Sequence, residues 1–389
     1  MTATAFDASF SARHLPTTRW LFFFVYAGIG VNLTFLNVFY ISQGLTGTQV
    51  GLIGLAAASS AMLAAGFWGY LSDRTGQARL IMAGGAIAAS LLALLYPLVH
   101  TFILFLLLSV LFAFFTTSAF ILIDATTLAL LGDRRDEYGR YRLGGSIGYI
   151  LAAASAGFIF ERIGLRWMFP AYAVIMVMFA LTALRLPALP IHAGGQHSRQ
   201  LGAMIRQPSW IIFALCVFLI WTAMNGSINF LGITIKSMGG GDSLIGIAAT
   251  MAAVAELPFM FFSGSMMRRM GMRNMLWVSM FFYTLRIGLY GFMPHPAWAI
   301  GINLLNGPSY VFMWNSAVNY ANHMAPENLK ATAQGLFQAT TNFASMFGAV
   351  LCGWMYDQIG PANMFRVLAV SCFAAFLIFG LTRRRFQPA

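Results

Sequence analysis

Residues 101–123 contain no charged side chain, no glycine and no proline. At a rise of about 1.5 Å per residue, a helix of that length crosses a hydrocarbon layer about 30 Å thick. Comparable runs recur from end to end, and the sequence is 59% hydrophobic but only 9% charged, against roughly a quarter charged in soluble domains. A soluble fold is excluded. At about twenty residues per crossing, a chain of 389 residues holds about a dozen spans and leaves no room for a separate soluble domain. The expected fold class is an all-α membrane protein of twelve transmembrane helices.

The apolar runs predict spans over residues 19–42, 48–71, 78–98, 102–131, 138–160 and 166–186, then 209–235, 243–266, 274–294, 297–322, 330–355 and 363–382. Between the two sets, residues 187–208 include Pro187, Pro190, Gly194, Gly195 and Ser198 and read as a polar linker. The expected domains are an N-terminal six-helix bundle, 1–186, and a C-terminal one, 209–389. The polar start carries Arg13 and His14 ahead of an apolar run too long for a cleaved signal peptide, so the first helix is expected to be retained.

The net charge of +12 would point to nucleic acid in a soluble protein, but topology absorbs it. On the twelve-span reading Arg74, Arg79, Arg134, Arg135, Arg140, Arg185, Arg199, Arg206, Arg268, Arg269, Arg273, Lys330 and Arg383 to Arg385 share one side. Arg162, Arg166, Lys236 and Arg366 lie on the other. The positive-inside rule then makes both termini cytoplasmic, in a bacterial inner membrane, with the lipid bilayer as partner and no nucleic acid. Cys216, Cys352 and Cys372 lie in apolar stretches without framework spacing and are expected to be free thiols. No metal cluster, phosphate loop or nucleophile arrangement occurs, so neither a cofactor nor an enzyme activity is expected.

Gly69, Asp73, Arg74, Gly76 and Arg79 follow the second helix of the first half. They recur in weakened form, half a chain later and in the corresponding loop, as Gly264, Arg268, Arg269, Gly271 and Arg273. Two pseudo-symmetric six-helix halves related by parallel duplication account for this. The first copy resembles the G-x-x-x-D-R-x-G-x-x-R signature of the major facilitator superfamily, in which this loop is a conformational latch. The resemblance implies that role for Gly69, Asp73, Arg74, Gly76 and Arg79; ordinary topology-fixing charges are the alternative. The second copy carries Arg268 at the acidic position, which speaks against a latch there.

A narrower resemblance lies in Asp136, Glu137, Arg140, Arg142 and the residues up to Tyr149, in Leu329 to Gly335, and in Phe261 and Phe262. These look like the branch that contains lactose permease and the phenylpropionate permeases. Carried over by position, Asp124 falls on the helix-four carboxylate of lactose permease, Arg142 on its sugar-binding arginine, Tyr149 on its ring-stacking tryptophan and Arg286 on its helix-nine arginine. Asn306, Ser309 and Ala253 stand where that protein has a histidine and two carboxylates, so its proton relay is not copied intact. Glu256, three residues beyond Ala253 and on nearly the same helix face, is positioned to supply the missing acid.

The same residues stand out without any family, because an ionisable group at membrane depth costs several kcal/mol and marks a pathway or a pair. Asp124, Arg142, Glu256 and Arg286 are those groups. Asp124 and Arg142 sit at matching distances from one hairpin turn and are expected to pair, either structurally or as the groups for which substrate competes. Tyr149, two turns beyond Arg142, either stacks on a substrate ring or packs. No histidine lies in a helix centre, so a proton carrier has to be a carboxylate. Glu256, alternately approached and left by Arg286, is the expected carrier, with Asp124 its rival and a static Glu256–Arg286 pair the bland alternative. Asn32, Asn37, Asn225, Asn229, Asn306, Tyr310, Trp314, Asn315, Gln334, Gln338 and Asn342 also lie at interior depth. Of these, Asn229, Asn306, Tyr310 and Trp314 are expected to join Asp124, Arg142 and Tyr149 in binding substrate, although interhelical hydrogen bonds account for such residues equally well.

The expected function is proton-coupled symport of a sugar, nucleoside or aromatic carboxylate by a monomer that works through alternating access, with protons and solute as partners. A uniporter, a proton antiporter exporting drugs, and a facilitator-fold assembly factor that moves nothing are the alternatives. Tags at Gly195 and Ala389 should report the cytoplasm and a tag at Gly240 the opposite side; the reverse pattern would overturn the orientation or the span count.

Overall fold

The computed structural model describes residues 8–132, 134, 137–187, 207–325 and 329–382. Most of the expected linker, Arg135, Arg199, Arg206 and the arginines at 383–385 lie outside them. The described residues form helical elements: α1 (Ala8–Ser42), α2 (Gly47–Thr75), α3 (Ala78–Leu95), α4 (Phe102–Leu131), α5 (Tyr138–Ile163), α6 (Met168–Ala183), α7 (Pro208–Ser237), α8 (Asp242–Met270), α9 (Met272–Gly291), α10 (Trp298–Asn303), α11 (Phe312–Met324) and α12 (Lys330–Thr382). Nine of the helices among the described residues are long and apolar enough to cross a membrane. One expectation changes here. The span predicted over 297–322 is not one α-helix, since α10 and α11 flank a π-helical turn at Gly307–Val311. The spans predicted over 330–355 and 363–382 both lie within α12, which is two helices that meet in a kink at Gly360, whose φ is 79°, just before Pro361.

The solvent these helices expect is legible on their surfaces. Ile103, Leu107 and Leu111, at i, i+4 and i+8 on α4, are all exposed, as are Val174, Met178 and Leu181 on α6. Contiguous apolar stripes of that length are not left facing water, and hydrocarbon covers them without cost.

The chain divides into two compact units, Met1–Gln43 with Ala56–Gly194, and Gly44–Leu55 with Gly195–Ala389. In the first, α1 packs along α5, and α3 along α4 and α6. Gly144, Gly145 and Gly148 make the α1–α5 approach so close that a Cβ on Gly148 would overlap the Phe23 carbonyl. Small residues serve this purpose in membranes, where packing rather than the hydrophobic effect joins helices. Tyr40, Tyr96 and Ser109 satisfy one another's hydroxyls inside this unit, at 2.7 Å for Tyr40–Ser109 and 3.0 Å for Tyr96–Ser109. In the second unit α12 lines α7 and α9, with Cys216, Cys352 and Cys372 as free buried thiols. Lys236 at the end of α7 pairs with Asp242 in the first turn of α8 at 2.7 Å, a carboxylate at the helix end whose dipole favours it.

Gly148→Val has to displace backbone and should destabilise the protein by about 1–3 kcal/mol, lowering the midpoint of thermal unfolding in detergent. Gly84→Ala, where a Cβ meets nothing within 4 Å, should leave the midpoint unchanged or slightly raised. Equal midpoints for the two variants would contradict the close α1–α5 contact.

Candidate functional site

In the second unit the polar groups at membrane depth converge on Arg286 of α9, which is only 5% exposed. Its guanidinium donates to Asn306 Oδ1, to Ser309 Oγ at 3.3 Å, to Ser227 Oγ at 3.5 Å and, through Nε, to the Tyr290 hydroxyl at 3.2 Å. Asn306 then donates from Nδ2 to Glu256 Oε1 at 2.6 Å and to the Ala252 carbonyl at 3.2 Å. Tyr290 donates to Asn303 Oδ1 at 2.5 Å, and Asn303 donates to the Ala248 carbonyl at 2.8 Å. An arginine has only donors, so the Asn306 oxygen must face it and the amide nitrogen must face the acid. The bridge has one direction: Arg286 to Asn306 to Glu256.

Local backbone chemistry creates that bridge. Pro258 interrupts the hydrogen-bond ladder of α8 just beyond Glu256. Gly307 and Pro308 open the π turn directly after Asn306, a widening that is frequent at functional sites. A Cβ on Gly307 would overlap the Ala255 carbonyl and the Phe259 ring, so only glycine lets the turn approach α8 beside Glu256. The expected stripe of Asn306, Tyr310 and Trp314 is split by this turn. Asn306 enters the charged cluster, whereas Tyr310 stacks on Trp314 at 6.4 Å and Trp314 meets Trp221 and Phe337. Asn229 donates back to Asn225 Oδ1 at 2.8 Å.

In the first unit no ion pair joins Asp124 to Arg142, contrary to expectation. Each takes a tyrosine instead. Arg142 lies 3.9 Å from the centroid of the Tyr26 ring and donates to its hydroxyl; Asp124 accepts from the Tyr138 hydroxyl at 2.7 Å. Stacking on an aromatic face keeps a guanidinium satisfied without neutralising it. Tyr149 shares a 3.5 Å hydrogen bond with Thr34 of α1. Tyr138, four residues before Arg142, and Tyr290, four after Arg286, were within reach of helical spacing. Tyr26 lies on another helix and had no local signal.

The residues expected to form the latch run from the end of α2 into the start of α3. Gly76 adopts φ 65°, Arg74 donates to Tyr70 at 3.4 Å, and Arg79 donates to the Leu186 carbonyl at 3.2 Å, just past α6. Asp73 is exposed. Among the described residues no group of His, Cys, Asp and Glu is arranged to hold a metal.

Helices with lipid-type surfaces around a buried arginine network are those of a multi-pass membrane protein, and the family and relatives that the chain matches are transporters rather than enzymes. The chain belongs to the MFS_1 like family, whose model matches residues 17–367. It is similar to maltose permease of Geobacillus stearothermophilus, 26% identical over 88% of this chain and 89% of that one. It also resembles the probable 3-phenylpropionic acid transporter of Escherichia coli (strain K12), 25% identical over 93% and 97%. The crystal structure of nucleoside transporter NupG has the same fold, with a TM-score of 0.83 at 17% identity, covering 97% of this chain and all of that one.

Asn306→Ala should destabilise the protein by about 1–3 kcal/mol, since it strands two partners in a buried network. In a cycle with Glu256→Gln the two costs should be non-additive, read by unfolding in detergent. Strict additivity would contradict the bridge.

Proposed function

We propose that this protein is a secondary transporter of the inner membrane that couples protons to the uptake of a small organic solute, a sugar, nucleoside or aromatic carboxylate, by alternating access. The observation that carries the coupling is the Glu256–Asn306–Arg286 bridge. Glu256 is half-buried, so it can exchange protons with water, yet its hydrogen-bonding is set by a buried arginine one amide away. A change of conformation that lengthens either bond alters the stability of the ionised acid, and that alternation is what coupling requires. The names of the relatives support the solute classes: a maltose permease and a 3-phenylpropionic acid transporter by sequence, a nucleoside transporter by fold.

Twelve crossings fit this reading. To the helices that qualify singly it adds α9, the composite of α10, the π turn and α11, and a division of α12 at Gly360. Both termini are then cytoplasmic, and residues 1–186 and 209–389 form the two bundles. Asp124, Arg142 and Tyr149 bind solute in the first half and Asn229, Asn306, Tyr310 and Trp314 in the second. Asp124 and Arg142 hold neutral tyrosine hydroxyls, and a solute bearing hydroxyl groups can replace these without changing the charge of the site. The loop from Gly69 to Arg79 acts as the latch between conformations, and the protein works as a monomer.

Glu256→Gln imitates the protonated acid. In vesicles it should abolish accumulation driven by a pH gradient while exchange of internal for external solute continues, because exchange needs no net deprotonation. Arg142→Lys loses the planar fork and its aromatic seat, and should weaken binding about tenfold or more with the protein still folded. Normal proton-driven accumulation by Glu256→Gln would refute the assignment of the carrier.

A further inference from the structure

The start of α2 is held by a carboxylate that the transport reading leaves unused. A helix begins with N–H groups that lack intrahelical partners and carry partial positive charge. Thr46 and Gln49 satisfy two of the backbone donors there by bonding reciprocally, Thr46 N–H to Gln49 Oε1 at 3.0 Å and Gln49 N–H to Thr46 Oγ1 at 3.2 Å. The donors between them go to Asp357 of α12. Its Oδ1 accepts from Gly47 N–H at 2.7 Å, and its Oδ2 from Thr48 N–H at 2.7 Å and the Thr48 hydroxyl at 2.6 Å.

Glycines make this reach possible. A Cβ on Gly51 would overlap the Ala349 carbonyl, and one on Gly353 the Gly47 carbonyl. These positions recur every four residues, 47 and 51 on α2, 349, 353 and 357 on α12, so each helix offers one smooth face and the carboxylate sits at its end. Gly44–Leu55 cluster with the C-terminal residues, whereas the same helix from Ala56 onward clusters with the other unit. The hold of Asp357 therefore lies wholly within one unit, on a helix that continues into the other.

We propose that Asp357 is a releasable latch on α2, closed in this conformer and open in the alternate one. Asp357 is exposed, so water can take over both its oxygens and the freed N–H groups, and release buries no unsatisfied charge. The facing residues are mostly small, Gly47, Gly51 and Gly54 against Ala349 and Gly353, so the faces can part with little side-chain rearrangement. On the expected topology this latch lies outside the cytoplasm, at the opposite membrane face from Gly69–Arg79. The inference rests on alternating access, but its test needs no solute, so failure to find a transported compound leaves the two ideas separable.

Val50, 3% exposed, lies on the same face of α2 as Gly47 and Gly54. Val50→Cys should react slowly with a membrane-impermeant maleimide applied from outside when Asp357 is intact. With Asp357→Ala the reaction should quicken about tenfold or more, as expected for losing charge-assisted hydrogen bonds to a helix end. Asp357→Asn, which keeps the volume but only one acceptor oxygen, should fall between. Native Cys216 and Cys372, both buried, should stay unlabelled and mark folded protein in each case. Equal labelling in the Asp, Asn and Ala proteins would overturn the latch.

Discussion

A charged guanidinium inside a membrane domain has to find every partner within the protein. Arg286 does so with Asn306, Ser309, Ser227 and Tyr290, and much of the irregular backbone of the second unit follows from that requirement. Non-helical hydrogen bonding at membrane depth is tolerated only where protein covers it. The π turn at Gly307–Val311 lies at this cluster, where Gly307 packs it closely against Ala255 and Phe259, and Pro258 interrupts α8 just beyond Glu256. Distortion and charge occupy one place because each makes the other feasible: the wide turn delivers Asn306 to the arginine, and the arginine's bonds hold the turn.

The first unit treats its charges differently. Arg142 and Asp124 lie on helices that are consecutive in the sequence, yet each settles on a tyrosine. A direct ion pair would have to be broken before either group could receive a solute, at a cost that grows with desolvation. A phenol hydroxyl is a weaker and neutral partner, and its exchange for a solute hydroxyl is close to balanced. The two units thus hold their arginines by opposite means, one locked in a network and the other resting on a ring.

The bundle was legible because bilayer thickness dictates span length and because the signature from Gly69 to Arg79 falls at a helix end. The charged residues were legible because so few lie in apolar runs. What the residues could not convey was connectivity. Asn306 read as the loss of a histidine, and its service as the amide between Glu256 and Arg286 depends on a π turn that no hydropathy pattern announces. The Asp124–Arg142 pair was inferred from equal depth, but depth does not fix the facing of side chains, and Tyr26 lies 116 residues from Arg142. Asp357 drew no notice because its partners are backbone N–H groups, which every residue but proline possesses.

The proposed carrier of the proton is one half-buried carboxyl, Glu256, governed through Asn306 by Arg286. Infrared difference spectroscopy of the purified protein in lipid, taken across a pH titration, tests it most directly through the stretching band of the protonated carboxyl group. The account predicts a titrating band that disappears in Glu256→Gln and changes position in Asn306→Ala. A titrating band that survives unchanged in Glu256→Gln would contradict it.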